Sequence, residues 1–568
     1  MKLRRLSSLL TTVTVLASLT AGCTLGPKYK RSQNAAIERP TAKGNFVSSQ
    51  NKALTRMPDL PDHWWHLYDE PVLDQLIEEA FTHNNDLKVA AADITRSTAA
   101  LARARDAKRI GTNLNTWANY IEFSDQRYLV NSANRPHIPD AFATSLDAIV
   151  SYQVDYLGQL RRAIEVANAD EEAVRSAYDM ARITVAANTA QAYVEVCATG
   201  HDIAITKELI ALSERSTALI SRMRSEGRAM TTDVRRQMAL EAQIKADLPQ
   251  QVARKQIALF SLAVLTGRPP AEFPAEVANC EEEPILRQPI PVGDGESLLN
   301  RRPDVRSAEF RLKSATAEIG VAMGEMWPKI TLGAAAGSTG MAKHMFGGHT
   351  REFNLGPGLT WQVPNRNRAR AEILSAKSET RIASAQFDQT VLNAIKETEA
   401  ALTTYTHDLD HREEVALARD RADAADKDVH RLFSLGRINA LPVLDADRTL
   451  LQYEQQLVSA DGKISDDQIR IFLALGGGWS RDKDQIERER TTGTAPTPRI
   501  VKAKGIIQQI GDITGIRAEI GKGGDLSHEK DAHTNNSSKA PEPVQPPKPL
   551  TNTQGVLNDE GELERPKE

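Results

Sequence analysis

The side chains that could carry chemistry are few, and they do not assemble into a catalytic set. His63 and His66 flank Trp64 and Trp65 at a three-residue spacing. Two imidazoles could open a metal site, but zinc-type sites take three or four ligands, and no further ones stand out nearby. No carboxylate pair is placed for acid–base work, and no glycine-rich phosphate loop follows a strand. The acidic runs Glu171–Glu172 and Glu281–Glu283 read as solvated faces. The expectation is a non-enzyme with no cofactor and no metal. That leaves three cysteines, Cys23, Cys197 and Cys280, as the residues whose chemistry needs placing.

The context of Cys23 is specific. Basic Lys2, Arg4 and Arg5 precede a mostly apolar stretch from Leu9 to Leu19, and small residues lead into the cysteine. This is the pattern of a secretory signal, too short for a membrane span. Leu19-Thr20-Ala21-Gly22-Cys23 resembles a bacterial lipobox, with Thr20 in place of the more usual leucine. Acylation of Cys23 is therefore expected, and two or three chains at about 0.8 kcal/mol per buried methylene would hold the protein on a membrane. The next residue is Thr24 rather than aspartate, which in Gram-negative lipoproteins implies the outer membrane. Net charge is −4, or −7 once the three basic residues leave with positions 1–22, so nothing favours nucleic acid.

Elements that could position such an anchored protein follow from periodicity. Aromatic content is only 5%, which favours long alanine-rich helices over a large aromatic core. Gly158 to about Arg228 contains no proline, and at 1.5 Å per residue its roughly 70 residues would make a rod of about 100 Å. Ile205, Leu209, Leu212, Leu219 and Met223, with Ser216, read as its coiled-coil seam. Arg368 to about Leu435 has similar length and a less legible seam. Between the helices lie stretches of period two. Thr144, Leu146, Ala148, Val150, Tyr152 and Val154 share one face, against Ser145, Asp147, Ser151, Gln153 and Asp155, with Ile149 the exception. Ile330 to Ala336, Phe353 to Val363 (interrupted by Pro357) and, less cleanly, Asn113 to Phe123 alternate likewise. No stretch of eighteen apolar residues follows Cys23, so a spanning helix is not expected, whereas strands of about ten residues can cross as a β-barrel. Loops at 125–140 and 340–350 would join the strands in pairs.

An internal duplication organises these elements. Ser151–Asp155 (SYQVD) matches Thr360–Pro364 (TWQVP) at an offset of 209 residues. Arg161 and Arg370, Tyr178 and Phe387, Asp179 and Asp388, Gly227 and Gly436, and Gly267 and Gly476 share that offset. The expected organisation is a lipoprotein signal at 1–22, an extended segment at 23–70, a first repeat at 71–270, a connector at 271–299, a second repeat at 300–480 and a tail at 481–568. The tail has eight prolines and no Phe, Trp or Tyr, so it cannot offset its chain entropy by burial and reads as disordered.

Several segments together resemble the outer-membrane factors of the TolC/NodT type, over about residues 20–478. They are Cys23–Tyr29 (CTLGPKY), Trp64-Trp65 with Asp69–Leu76 and Asn85-Asp86-Leu87, Ser151–Arg162 (SYQVDYLGQLRR) and Leu299–Val305 (LNRRPDV). Each is weak alone, and the combination is specific. The resemblance implies an α+β membrane protein: a homotrimer whose β-barrel takes four strands from each protomer and continues as a long α-helical periplasmic barrel. It implies a passive exit channel for small compounds in a tripartite efflux system, lipid-anchored in the outer membrane, with a periplasmic adaptor and an inner-membrane pump as partners. An exit duct for protein secretion and a non-pore periplasmic coiled-coil scaffold are the alternatives. Leu441, Asp445 and Arg448 resemble the family's constriction motif, Leu-x-x-x-Asp-x-x-Arg, which implies that they narrow the periplasmic end; an ordinary surface helix start is the competing reading. Two departures stand out: Val363 to Arg368 lacks the glycines usual at the second strand-to-helix turn, and Pro442 is unusual in the constriction motif.

The same architecture bears on the two remaining cysteines, which would lie in an oxidising compartment. A helix over Thr231–Thr266 would rise to the level of about position 193 on the preceding one, and Cys197 lies about 6 Å from there along the axis. Cys280 sits in the connector near that level. A Cys197–Cys280 disulfide and two separate thiols both remain open.

Overall fold

The computed structural model describes residues 24–48, 53–55, 61–121, 141–284, 286, 288–341, 345, 347–363 and 366–477. Cys23, the loop at 125–140, part of that at 340–350 and the tail from 481 lie outside them. After brief helical turns at Ala36–Glu38, Pro40–Lys43 and Trp64–Tyr68 come α1 (Pro71–His83) and α2 (Asn85–Asp106), with the Asn84 side chain accepting from the amides of Asp86 and Leu87. A hairpin pair follows, β1 (Gly111–Ile121) and β2 (Ala141–Val154), then the long α3 (Gln159–Ser225) and α4 (Thr231–Leu265). The second series runs α5 (Gly295–Arg301), α6 (Pro303–Gly324), β3 (Lys329–Met341), β4 (Arg351–Thr360), α7 (Arg366–Ser434) and α8 (Ala440–Ala474).

The 209-residue offset is visible in the geometry. Ser225, Thr231 and Leu265, at helix ends in the first series, correspond to Ser434, Ala440 and Ala474 in the second. Helices α4 and α8 have 35 residues each, and α3 and α7 have 67 and 69. Each long hairpin turns at a glycine with left-handed backbone, Gly227 at φ 72° and Gly436 at φ 70°.

These four strands form one antiparallel sheet in the order β1-β2-β3-β4, apart from a short parallel pair, Leu54–Thr55 with Ile290–Pro291. Its register sets Leu114 opposite Ala148, Ala148 opposite Ala336, and Ala336 opposite Phe353. Because successive side chains alternate, this puts Leu114, Tyr120, Val150, Leu332, Phe353, Leu355 and Leu359 on one face. The other carries Asn113, Asn115, Asp147, Gln153, Thr331, Asn354 and glycines 333, 337, 356 and 358. The alternation read from the sequence is thus carried across all four strands. Strand β4 runs through Pro357, which pairs with Leu332. Within this chain's sheet β4 pairs on one side only, so Pro357 need only do without a donated bond to β3.

The main core lies beside the long helices. Trp64, Trp65, Tyr68, Leu73 and Ile77 pack against Ala186, Ala190, Tyr193 and Val196 of α3, Leu259 and Leu262 of α4, Leu402 of α7 and Phe472 of α8. Trp64 stacks on Phe472 with ring centroids 4.6 Å apart. The seam of α3 differs from the expected one. Thr206, Leu209, Ser213 and Ile220 are buried, whereas Leu212 and Leu219 are exposed. Polar residues take interior positions because partners await them: the Gln237 amide donates to the Ser213 hydroxyl and carbonyl oxygens.

Candidate functional site: the sheet, the strand-to-helix junction and the lower hairpin

The sheet exposes apolar side chains that a soluble sheet would cover. Leu114 is 67% exposed, Tyr120 69%, Phe353 73% and Leu355 74%. Trp327, just before β3, and Trp361, just after β4, add exposed indoles at the helix-side end, where amphipathic rings favour a membrane–water boundary. Strands β1 and β4 are edges with no further strand beside them among the described residues. No helix is long and apolar enough to cross a membrane among those residues.

The SYQVDYLGQLRR segment builds the strand-to-helix junction. The Asp155 carboxylate accepts from the amides of Leu160 and Arg161, satisfying donors at the start of α3. Gly158 takes φ 73°, and a β-carbon there would crowd Thr24. Arg162, buried, donates from Nε to the Leu25 carbonyl at 2.9 Å and from Nη2 to that of Gly26 at 3.0 Å. The residues immediately following Cys23 are therefore fixed at the end of β2.

At the start of α8, Leu441, Asp445 and Arg448 occupy one exposed face at i, i+4 and i+7. The Asn439 side chain caps the helix by accepting from the Leu441 amide. Pro442 falls in the first turn, where its missing N–H removes no intrahelical bond. Val443 and Leu444 are buried behind this face, and Leu444 packs with Ile220 and Val234. Among the described residues, the Asp445 and Arg448 side chains form no ion pair with each other.

Beside that face lies a group the sequence reading passed over. Asp426 and His430 of α7 and Asp447 of α8 present ligand atoms that all lie within 4.8 Å of one another. His430 Nε2 is 2.8 Å from Asp447 Oδ1 and 3.6 Å from Asp426 Oδ1. Burial, and then the neighbouring Asp447 carboxylate, push the Asp426 carboxyl up to about 6. The i, i+4 spacing of Asp426 and His430 was the available signal; only the packing of α7 on α8 adds Asp447. His66, weighed as a metal ligand, lies 3.6 Å from Asp74, with its ring stacked on His63.

Cys197 and Cys280 are joined by a disulfide across 83 residues, with α-carbons 4.8 Å apart. The connector reaches α3 because of Gly200, where a β-carbon would collide with the Cys280 carbonyl. Lys255 of α4 donates to that same carbonyl at 3.1 Å.

Comparison with known proteins agrees with this geometry. Residues 295–477 match the family described as outer membrane efflux protein. Outer membrane protein OprJ of Pseudomonas aeruginosa is 28% identical over 480 residues, covering 83% of this chain and 96% of the relative. The chain is thus similar to outer membrane efflux proteins over most of its length, and its second half carries the pattern of that family. The pyoverdine export outer membrane protein OpmQ of Pseudomonas putida is 29% identical over 446 residues, covering 76% of this chain and 92% of that protein. The solved outer-membrane channel OprN superposes with a TM-score of 0.73 at 25% identity, covering 80% of this chain and all of the other. The Campylobacter jejuni CmeC outer membrane channel gives 0.73 at 16% identity, covering 84% and 99%, a likeness of fold. The solved neighbours are outer-membrane channels, and the relatives are named for efflux and export.

Proposed function

We propose that this chain is the outer-membrane exit channel of a tripartite efflux system, passively conducting small compounds handed over by a periplasmic adaptor and an inner-membrane pump. The observation that carries the reading is the amphipathic four-stranded sheet with two open edges. Unpaired backbone groups are not tolerated in lipid, and four strands are too few to close a barrel. Three copies supply twelve strands, with the Leu355 face toward lipid and the Asn354 face toward the lumen. Long helical hairpins then continue the duct away from the membrane. The names of relatives, a pyoverdine exporter and toluene and antibiotic efflux proteins among them, favour small cargo over secreted protein.

Acylated Cys23 fits the same placement, because Arg162 ties Leu25 and Gly26 to the helix-side end of β2, at the level of Trp361 and the bilayer surface. Leu441, Asp445 and Arg448 would narrow the far end, their exposed face meeting the equivalent faces of two other protomers. Purified full-length protein should migrate as a trimer that dissociates on heating and should give single-channel steps in planar bilayers. A monomer without conductance would overturn the channel reading. Incorporation of a clickable fatty acid that persists in Cys23→Ser would refute the anchor alone.

A further inference from the structure

We propose that Asp426, His430 and Asp447 form a binding site for a borderline first-row divalent cation, of which zinc is the type, clipping α7 to α8. The ligand set is one imidazole and two carboxylates, the nitrogen-and-oxygen mixture that zinc takes readily. Calcium and magnesium prefer oxygen throughout, which sets the imidazole against them. Asp426 and His430 stand one turn apart on α7 and project to the same side, and α8 supplies Asp447 from its second turn.

Two of the three ligand spacings lie near those of a zinc site, and the carboxylate-to-carboxylate spacing is within 4.8 Å. A tetrahedron with bonds of about 2.0–2.1 Å has edges of roughly 3.3 Å. The distances from His430 Nε2 to the two carboxylates, 2.8 and 3.6 Å, bracket that edge. Both carboxylates are withdrawn from solvent, the Asp426 side chain 14% and that of Asp447 10% exposed. Asp426 Oδ1 is buried and receives no hydrogen bond, so this lone pair faces the imidazole without a donor. A settled histidine–carboxylate ion pair would supply one; a cation between the three groups supplies what that oxygen lacks. The Ser216 hydroxyl of α3 lies 3.4 Å from Asp447 Oδ2 and orients the carboxylate from behind. His430, 39% exposed, leaves an entry path and room for a water as the fourth ligand. On binding, Nε2 exchanges its proton for the metal and the proton leaves to solvent.

The consequence is mechanical. His430 stands one turn before the end of α7, so a bound cation would cross-link the two helices just behind the turn at Gly436.

The test uses full-length protein in detergent, carrying no polyhistidine tag and stripped with a chelator, titrated with zinc against a chromophoric competitor. One zinc per chain is expected. His430→Ala and Asp447→Asn should each weaken binding by about 10-fold or more, while the double variant His63→Ala/His66→Ala should bind as the parent does. X-ray absorption at the zinc edge of the parent protein should report one imidazole among oxygen donors, which decides the question without any variant. No zinc bound, equal binding by His430→Ala, or a shell of several imidazoles would overturn the proposal. The readout is metal binding, so its failure is distinct from failure of the channel reading, which rests on conductance.

Discussion

Gly267 and Gly476, 209 residues apart, end the two 35-residue helices in the same left-handed conformation, at φ 75° and 79°. Gly227 and Gly436 do so at the opposite ends of the hairpins, at 72° and 70°. The backbone requirement recurs at the 209-residue offset even where the side chains differ.

The four glycines differ in what surrounds them, which yields a measurable contrast. A β-carbon on Gly227 meets nothing within 4 Å, whereas one on Gly267 would lie 2.6 Å from the His83 carbonyl oxygen. Gly227→Ala should therefore cost only the left-handed strain, about 1–2 kcal/mol. Gly267→Ala should cost that plus displacement of the α1 terminus. Thermal midpoints followed by circular dichroism should fall further for Gly267→Ala; equal shifts would mean that His83 yields freely.

The exposed face of Leu441 and Asp445 predicts a conductance phenotype. Three carboxylates near one axis attract cations and repel anions. Asp445→Ala should weaken cation preference in bilayer recordings, and Leu441→Ser combined with it should raise conductance. Unchanged selectivity and conductance would place this face away from the narrowest point.

Glu283 predicts a pH dependence of stability. Burial, then the nearby Asp461 and Asp202 carboxylates, raise it to about 7, and its Oε1 is buried without a donor. With the folded value above the unfolded one, the folded state binds the proton more tightly. The group's penalty is thus absent below about pH 4, grows as pH rises and is fully present above about 7. Glu283→Gln should raise the thermal midpoint by about 2–4 °C at pH 8 and leave it nearly unchanged at pH 4. A shift equal at both pH values would locate the effect in packing rather than in charge.

The Cys197–Cys280 link predicts a cross-linked peptide. A non-reduced digest, with free thiols blocked beforehand, should yield the two cysteines in one species by mass spectrometry. Cys280→Ser should destabilise the protein by about 2–4 kcal/mol. Recovery of both cysteines alkylated would show that the thiols stay separate.

The sequence by itself determined much that depends on local chemistry. Period-two alternation from Thr144 to Val154 marks a strand with unlike faces whatever it packs against. A proline-free run from Gly158 to Arg228 has little choice but a long helix. Repeated glycines at one offset mark repeated turns. Leu441, Asp445 and Arg448 stand out through their resemblance to the family's constriction motif, and their i, i+4 and i+7 spacing sets them on one helical face. What only the tertiary structure decided is which groups from distant segments share a place. The seam of α3 keeps Leu209 but takes Ser213 and Ile220 in place of Leu212 and Leu219, because Gln237 of the neighbouring helix satisfies the serine. Axial height left the Cys197–Cys280 pair open, since height along a helix says nothing of angle around it; Gly200 brings the connector onto the correct side. Asp447 joined Asp426 and His430 for the same reason: a contact between helices depends on their relative rotation, which no spacing within one helix encodes.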